Sequence, residues 1–251
     1  MKKLFLPLLW LLIAAVPVGA TLAADGAAAS HDNGAVAGTT VAVPLGHSIS
    51  SGDLIVCGFS VAGTSGQTIT SITDSINAGN YLTAVAAHRN TTLSQTVGIY
   101  YFLGSASGTP TITLTYGLSS AFAAMTCRAY TVTGGVASLD CVPSPAFVDG
   151  TTSNPTTNAC TTTVNGDLLF ATVSMQANTP TAGGSYTLIG SNTSTLQFTE
   201  DQIQSTAGST TGVFTATADT WCVEVATFKV VQGGHSLLIG PTKILGPSLI
   251  Q

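Results

Sequence analysis

Short runs rich in Val, Ile, Thr, Tyr and Phe alternate along the chain with clusters of Gly, Pro, Asn, Asp and Ser. No stretch after the first twenty or so residues keeps a helical period. The clearest run is Thr111-Ile112-Thr113-Leu114-Thr115-Tyr116, where Ile112, Leu114 and Tyr116 face one way and three threonines the other. A period of two with one apolar face is a half-buried antiparallel strand. Residues 54–61 and 168–173 are apolar at odd and even positions alike, which predicts central strands covered on both faces. The pattern as a whole predicts an all-β protein: an antiparallel β-sandwich, jelly-roll-like, of roughly a dozen strands in two packed sheets.

Two segments of the chain resemble each other. Ser51-Gly52-Asp53-Leu54-Ile55-Val56 and Asn165-Gly166-Asp167-Leu168-Leu169-Phe170 are each a tight turn feeding an apolar strand. Each is followed by a Thr-rich strand (111–116 and 213–217) and then a long strand (123–132 and 220–231). The long strands end near Gly134-Gly135 and Gly233-Gly234. This spacing suggests an internal duplication, either as one double-sized sheet pair or as two small domains. The expected organisation is a leader over 1–24, a first half over 25–135, a loop or linker over 136–160, a second half over 161–232 and an apolar tail over 233–251. The linker assignment rests on Pro143, Pro145, Asp149-Gly150 and Asn154-Pro155.

The succession Gly52-Asp53-Leu54-Ile55-Val56, Ile69-Thr70-Ser71-Ile72-Thr73-Asp74-Ser75 and Asn80-Tyr81 resembles the opening of a group of poorly characterised bacterial and phage β-sandwich proteins. The later Gly166-Asp167-Leu168 strand and the closing strand from Trp221 to Phe228 also fit. The chain departs from the group at Ile76-Asn77-Ala78 and in its cysteines. The resemblance implies a jelly-roll-like sandwich on a secreted or surface protein, and no activity.

Charge changes the picture of what the strands can bind. Charged residues make up 7% of the chain, against about a quarter in an ordinary globular protein. The net charge is −5, and the cations are scattered, so nucleic acid and anionic membranes are disfavoured partners. At the start, Met1-Lys2-Lys3 precedes an uncharged apolar run broken by Pro7 and Pro17. That is the form of a secretory signal peptide with cleavage expected between Thr21 and Asp25, and no membrane span is expected in the mature chain. A secreted or cell-surface location follows.

The candidate chemistry is sparse. Asp74 and Asn80 offer hard oxygens on one loop and are weak candidates for a metal, against a reading in which they fix the loop. Asp53 and Asp167 are expected to accept turn amides. Glu200 and Glu224 are the glutamates of the chain, without the arrangement a jelly-roll glycanase would carry, and the histidines 31, 47, 88 and 235 lack zinc spacing. No enzyme and no cofactor is expected. Five cysteines in an exported chain leave at least one unpaired. Cys141 and Cys160 flank the Pro-rich middle and are the expected disulfide, while Cys57, Cys127 and Cys222 read as buried thiols within strands. In the tail, Leu237, Leu238, Ile239, Ile244, Leu245, Leu249 and Ile250 are apolar residues with Gly-Pro breaks, suited to addition at a sheet edge or groove, either of their own chain or of a second copy. These features together point to a non-catalytic, self-associating structural or interaction protein. The alternative is a carbohydrate-binding module or adhesin using Tyr81, Tyr100, Tyr101, Tyr186 and Trp221 as stacking surfaces.

Overall fold

The computed structural model describes residues 19–34, 36–63 and 67–232. Its first half contains β1 (Thr21–Asp32), β2 (Gly38–Pro44), β3 (Leu54–Ala62), β4 (Ile69–Asp74), β5 (Leu82–Asn90), β6 (Gln95–Phe102), β7 (Thr111–Ser120) and β8 (Ala123–Thr133). The second half contains β9 (Val136–Cys141), β10 (Phe147–Gly150), β11 (Cys160–Thr161), β12 (Asp167–Met175), β13 (Thr181–Ala182) and β14 (Thr187–Asn192). It continues with β15 (Gln197–Gln204), β16 (Ser209–Thr210), β17 (Phe214–Thr215) and β18 (Trp221–Val231). The protein is an all-β sandwich, as the alternation predicts.

The first half pairs β1 with β8, β2 with β7 and β3 with β6, all antiparallel. These nested pairs are the connectivity of a jelly roll. They give a sheet ordered β1-β8-β3-β6-β5 facing a smaller sheet ordered β2-β7-β4. The second half repeats the plan, with the counterparts of β1 and β7 each split in two. Here β9 and β10 pair with β18, β11 with β16, β12 with β15 and with β18, β13 with β17, and β14 with β15. The repeat seen in the sequence is therefore structural.

One expectation needs correction here. Residues 136–160 are not a linker, because β9 and β10 lie along the edge of β18 and supply the opening strand of the second half. The turn residues Pro143 and Pro145 only break that strand in two. Likewise β1 starts at Thr21, and residues 21–25 are paired with β8, so the range expected for leader cleavage runs into the sheet.

The two halves pack through their larger sheets. Leu54, Val56 and Tyr130 of the first meet Leu168, Phe170 and Phe228 of the second in one core cluster. On their outer faces, Ile55, Phe59 and Met125 pack against Ile112 and Leu114 of the small sheet, while Val173, Val223 and Val225 pack with Phe214. Four layers result where two were expected, and this explains why β3 and β12 are apolar on both faces. Cys141 and Cys160 are bonded as expected. Cys57 and Cys127 are also bonded, joining directly paired positions on β3 and β8, which corrects their reading as thiols. In a loop-entropy view a closed loop of 70 residues contributes about 4 kcal/mol and one of 19 about 3. Cys222 remains free and buried.

Candidate functional site

The Asp74 carboxylate is already saturated by its own loop. Its Oδ1 accepts from the amides of Ile76 (2.8 Å) and Asn77 (2.7 Å), and its Oδ2 from Asn77 Nδ2 (2.7 Å) and the Tyr81 hydroxyl (3.0 Å). This is loop fixing by Asp74. Asp53 accepts the Ser50 amide at 2.8 Å, and Asp167 accepts those of Thr163 and Val164 at 3.2 and 3.3 Å, as the turn chemistry predicts.

The structure adds a partner to each of these aspartates that the sequence reading missed. Asp25 lies beside Asp53, and Asp140 beside Asp167, at corresponding places in the two halves. Burial, then the neighbouring carboxyl, raises Asp53 and pushes Asp167 up to about 6, against the pull of the turn amides. Burial would also raise Asp140, but Lys229 Nζ at 2.7 Å and the Thr163 hydroxyl and amide outweigh it and lower its pKa. Of the two, Asp167 is the one that takes up a proton first as pH falls.

The two glutamates stand on opposite faces of one sheet. Glu200 is paired with Ala171 and faces the outer layer, where the amides of Gly183 and Val213 donate to it at 3.2 and 3.1 Å. Burial pushes its pKa up to about 8. Glu224 is paired with Thr172 and faces the other half. Their carboxyls cannot flank one glycosidic bond. The aromatic side chains proposed for sugar stacking are also turned inward: Tyr81, Tyr101 and Trp221 are buried, Tyr100 packs on the first core, and the Tyr186 hydroxyl donates to Thr211 O at 2.7 Å.

Between the halves, one end of the interface is polar. Ser60 Oγ lies 2.6 Å from Gln95 Oε1 and 3.2 Å from Ser174 Oγ, and Ser174 donates to Gln95, so the three groups share one hydrogen-bond network. Thr126, Gln197, Asn192 and Thr172 form a second buried network. Arg128 Nη1 and the Tyr130 hydroxyl both donate to Asp201 Oδ2, at 2.9 and 2.7 Å. At the margin of this interface His88 Nε2 lies 3.0 Å from Asp149 Oδ2, and Phe147 stacks on the His88 ring. Cys222 and the fully buried Glu224 adjoin them on β18, and burial raises both pKa values, Asp149 adding its charge to the effect.

No family model, curated protein or solved structure matches this chain.

Among the described residues, two grooves lie at the end where β18 leaves the sheet. One, of about 430 Å³, is lined by Ala20, Val164, Val230 and Val231 together with Asn165, Lys229 and Gln232. A second, of about 460 Å³, is lined by Leu103, Val132, Val136 and Ala137 together with Ser51 and three glycines, Gly52, Gly104 and Gly135. Val136 and Val231 are paired across the strands and are 64% and 44% exposed. The tail residues Leu237 to Ile250 lie outside the described residues.

Proposed function

We propose that the chain is an exported, non-catalytic structural or interaction protein that associates with copies of itself through its apolar tail. The observation that carries the reading is the exposed cross-strand pair Val136 and Val231, flanked by two grooves, at the end where β18 leaves the sheet. These valines are exposed in a protein with few charges to keep its surfaces apart, and exposed apolar patches of this kind mark association surfaces. The tail, with Leu237, Leu238, Ile239, Ile244, Leu245, Leu249 and Ile250, begins next to them in the sequence. Its Gly-Pro pairs limit it to short extended pieces, which suit a groove. The export reading is supported by the leader pattern, and two disulfides agree with an oxidising location.

Light scattering coupled to size exclusion tests this on the full mature chain and on one lacking residues 236–251. The expected result is an oligomer that becomes a folded monomer on truncation. A full-length monomer, a truncated chain that still assembles, or a truncated chain that no longer folds overturns the proposal, the last because the tail then completes its own chain.

A further inference from the structure

We propose that His88, Asp149 and Cys222, with the buried Glu224 carboxyl beside them, form a site for one divalent transition metal ion of the zinc class where the two halves meet. His88 stands on β5 of the first half, Asp149 on β10 and the other two on β18 of the second. Asp149 and Cys222 are direct cross-strand partners, so they project from the same face of the sheet, and Glu224 projects with them two residues on. An imidazole nitrogen, a carboxylate oxygen and a sulfur lie within 4.8 Å of one another. Small side-chain rotations bring such donors onto one tetrahedral ion, with bonds of about 2.0–2.3 Å.

The second observation is Glu224. The residue is wholly buried, and neither of its carboxyl oxygens has a hydrogen-bond partner. Buried polar groups are almost always satisfied, and leaving a carboxyl with none is costly. A cation among these side chains supplies the missing partner. The site is also held and reachable. Phe147 stacks on the His88 imidazole with centroids 3.3 Å apart and planes 9° from parallel, which fixes the ring. A cavity of about 300 Å³, lined by Asn90, Thr92, Asp149, Gly150 and Thr220, opens beside the carboxylate.

The donor set selects the ion. Thiolate and imidazole suit zinc or cobalt, whereas calcium and magnesium require an all-oxygen shell. Bound there, the ion ties β5 of one half to β10 and β18 of the other, so it acts as a clamp between the halves. This inference does not depend on the self-association proposed above.

The mature protein with both disulfides intact is stripped with a chelator and titrated with zinc chloride by calorimetry and with cobalt chloride by absorption. Because the other four cysteines are bonded, a cobalt–thiolate charge-transfer band identifies Cys222 without any substitution. The expected result is one zinc per chain, the band with cobalt, and a rise in thermal midpoint on loading. His88→Gln and Cys222→Ser should each weaken binding at least about tenfold, the least that loss of a supporting partner costs a metal site, while His31→Gln leaves it unchanged. Absence of the thiolate band, absence of one-to-one binding, or unchanged affinity in His88→Gln overturns the proposal. Should Cys222→Ser fail to fold, the native cobalt spectrum and His88→Gln at the partly exposed edge still decide it.

Discussion

Ser60 donates a hydrogen bond to Ser174 at 3.2 Å, and the two serines hold the same position in the two halves. Each lies six residues beyond the leucine that follows Gly-Asp, Leu54 or Leu168. Gly58 and Thr172, four residues beyond those leucines, also meet each other. An approximate two-fold axis running between β3 and β12 along their length accounts for both contacts. At Gly58 the approach is close, since a Cβ there would stand 2.8 Å from Thr172 Cβ and 2.9 Å from its Oγ1. Gly58→Ala is therefore expected to lower stability by about 1–3 kcal/mol through overpacking. Urea unfolding that finds the variant as stable as the native protein would show that the sheets can part without cost.

A buried ion pair joins the halves beside this axis. Asp201 of β15 accepts from both Arg128 and Tyr130 of β8, and the side chains of the ion pair are 17% and 8% exposed. Removing the carboxylate leaves a guanidinium and a phenol facing a gap. Asp201→Ala should cost about 3–5 kcal/mol, as breaking a buried pair from one side does. Replacing Asp201 and Arg128 together should cost less than Asp201→Ala alone. A double-mutant cycle showing simple additivity would refute the coupling.

The carboxyl groups set an unusual pH dependence. Asp167, raised to about 6, Glu200, raised to about 8, and Asp53, also raised, bind protons more tightly when folded than when unfolded. A group of this kind contributes stability that is complete below its unfolded value near 4 and is lost as pH rises through its folded value. Asp140 works in the opposite sense, since its lowered pKa contributes stability above the unfolded value and loses it in more acidic solution. Stability should thus fall from about pH 4 to pH 8, and Asp167→Asn should flatten the part between 4 and 6. Denaturant midpoints measured with a chelator present check this, and a midpoint that climbs from pH 4 to pH 8 contradicts it.

The strand content and the repeat were legible because they are local signals. Alternation marks β7 in residues 111–116, and the two Gly-Asp-Leu turns mark β3 and β12. The pairing of Cys57 with Cys127 was not legible, since those cysteines lie 70 residues apart and only the register of β3 on β8 brings them together. The same limit hides the cluster at His88. From its sequence neighbours Asp149 is turn punctuation and Cys222 a small hydrophobe. What distinguishes them is that β10 pairs with β18 while β5 crosses the interface, a relation that exists only between the halves. Asp25 and Asp140 were missed for a related reason, because a carboxyl gains meaning from the second carboxyl facing it.

The start of β1 sharpens the expected processing of the chain. Small residues at Val18 and Ala20, or at Thr21 and Ala23, allow two cleavage positions. Cleavage after Ala23 would remove Thr21, which is in register with Thr133, and Leu22, which is 3% exposed within the core shared by the halves. Cleavage after Ala20 keeps the whole strand. On the proposed export reading, the mature protein is expected to begin at Thr21, which the intact mass of exported protein checks. A chain made to start at Ala24 should be less stable by about 1.5–3 kcal/mol, the contribution of burying one leucine side chain, before the lost strand hydrogen bonds are added. If natural material starts at Ala24 with undiminished stability, the first turn of pairing between β1 and β8 contributes nothing, and Leu22 is not part of the mature core.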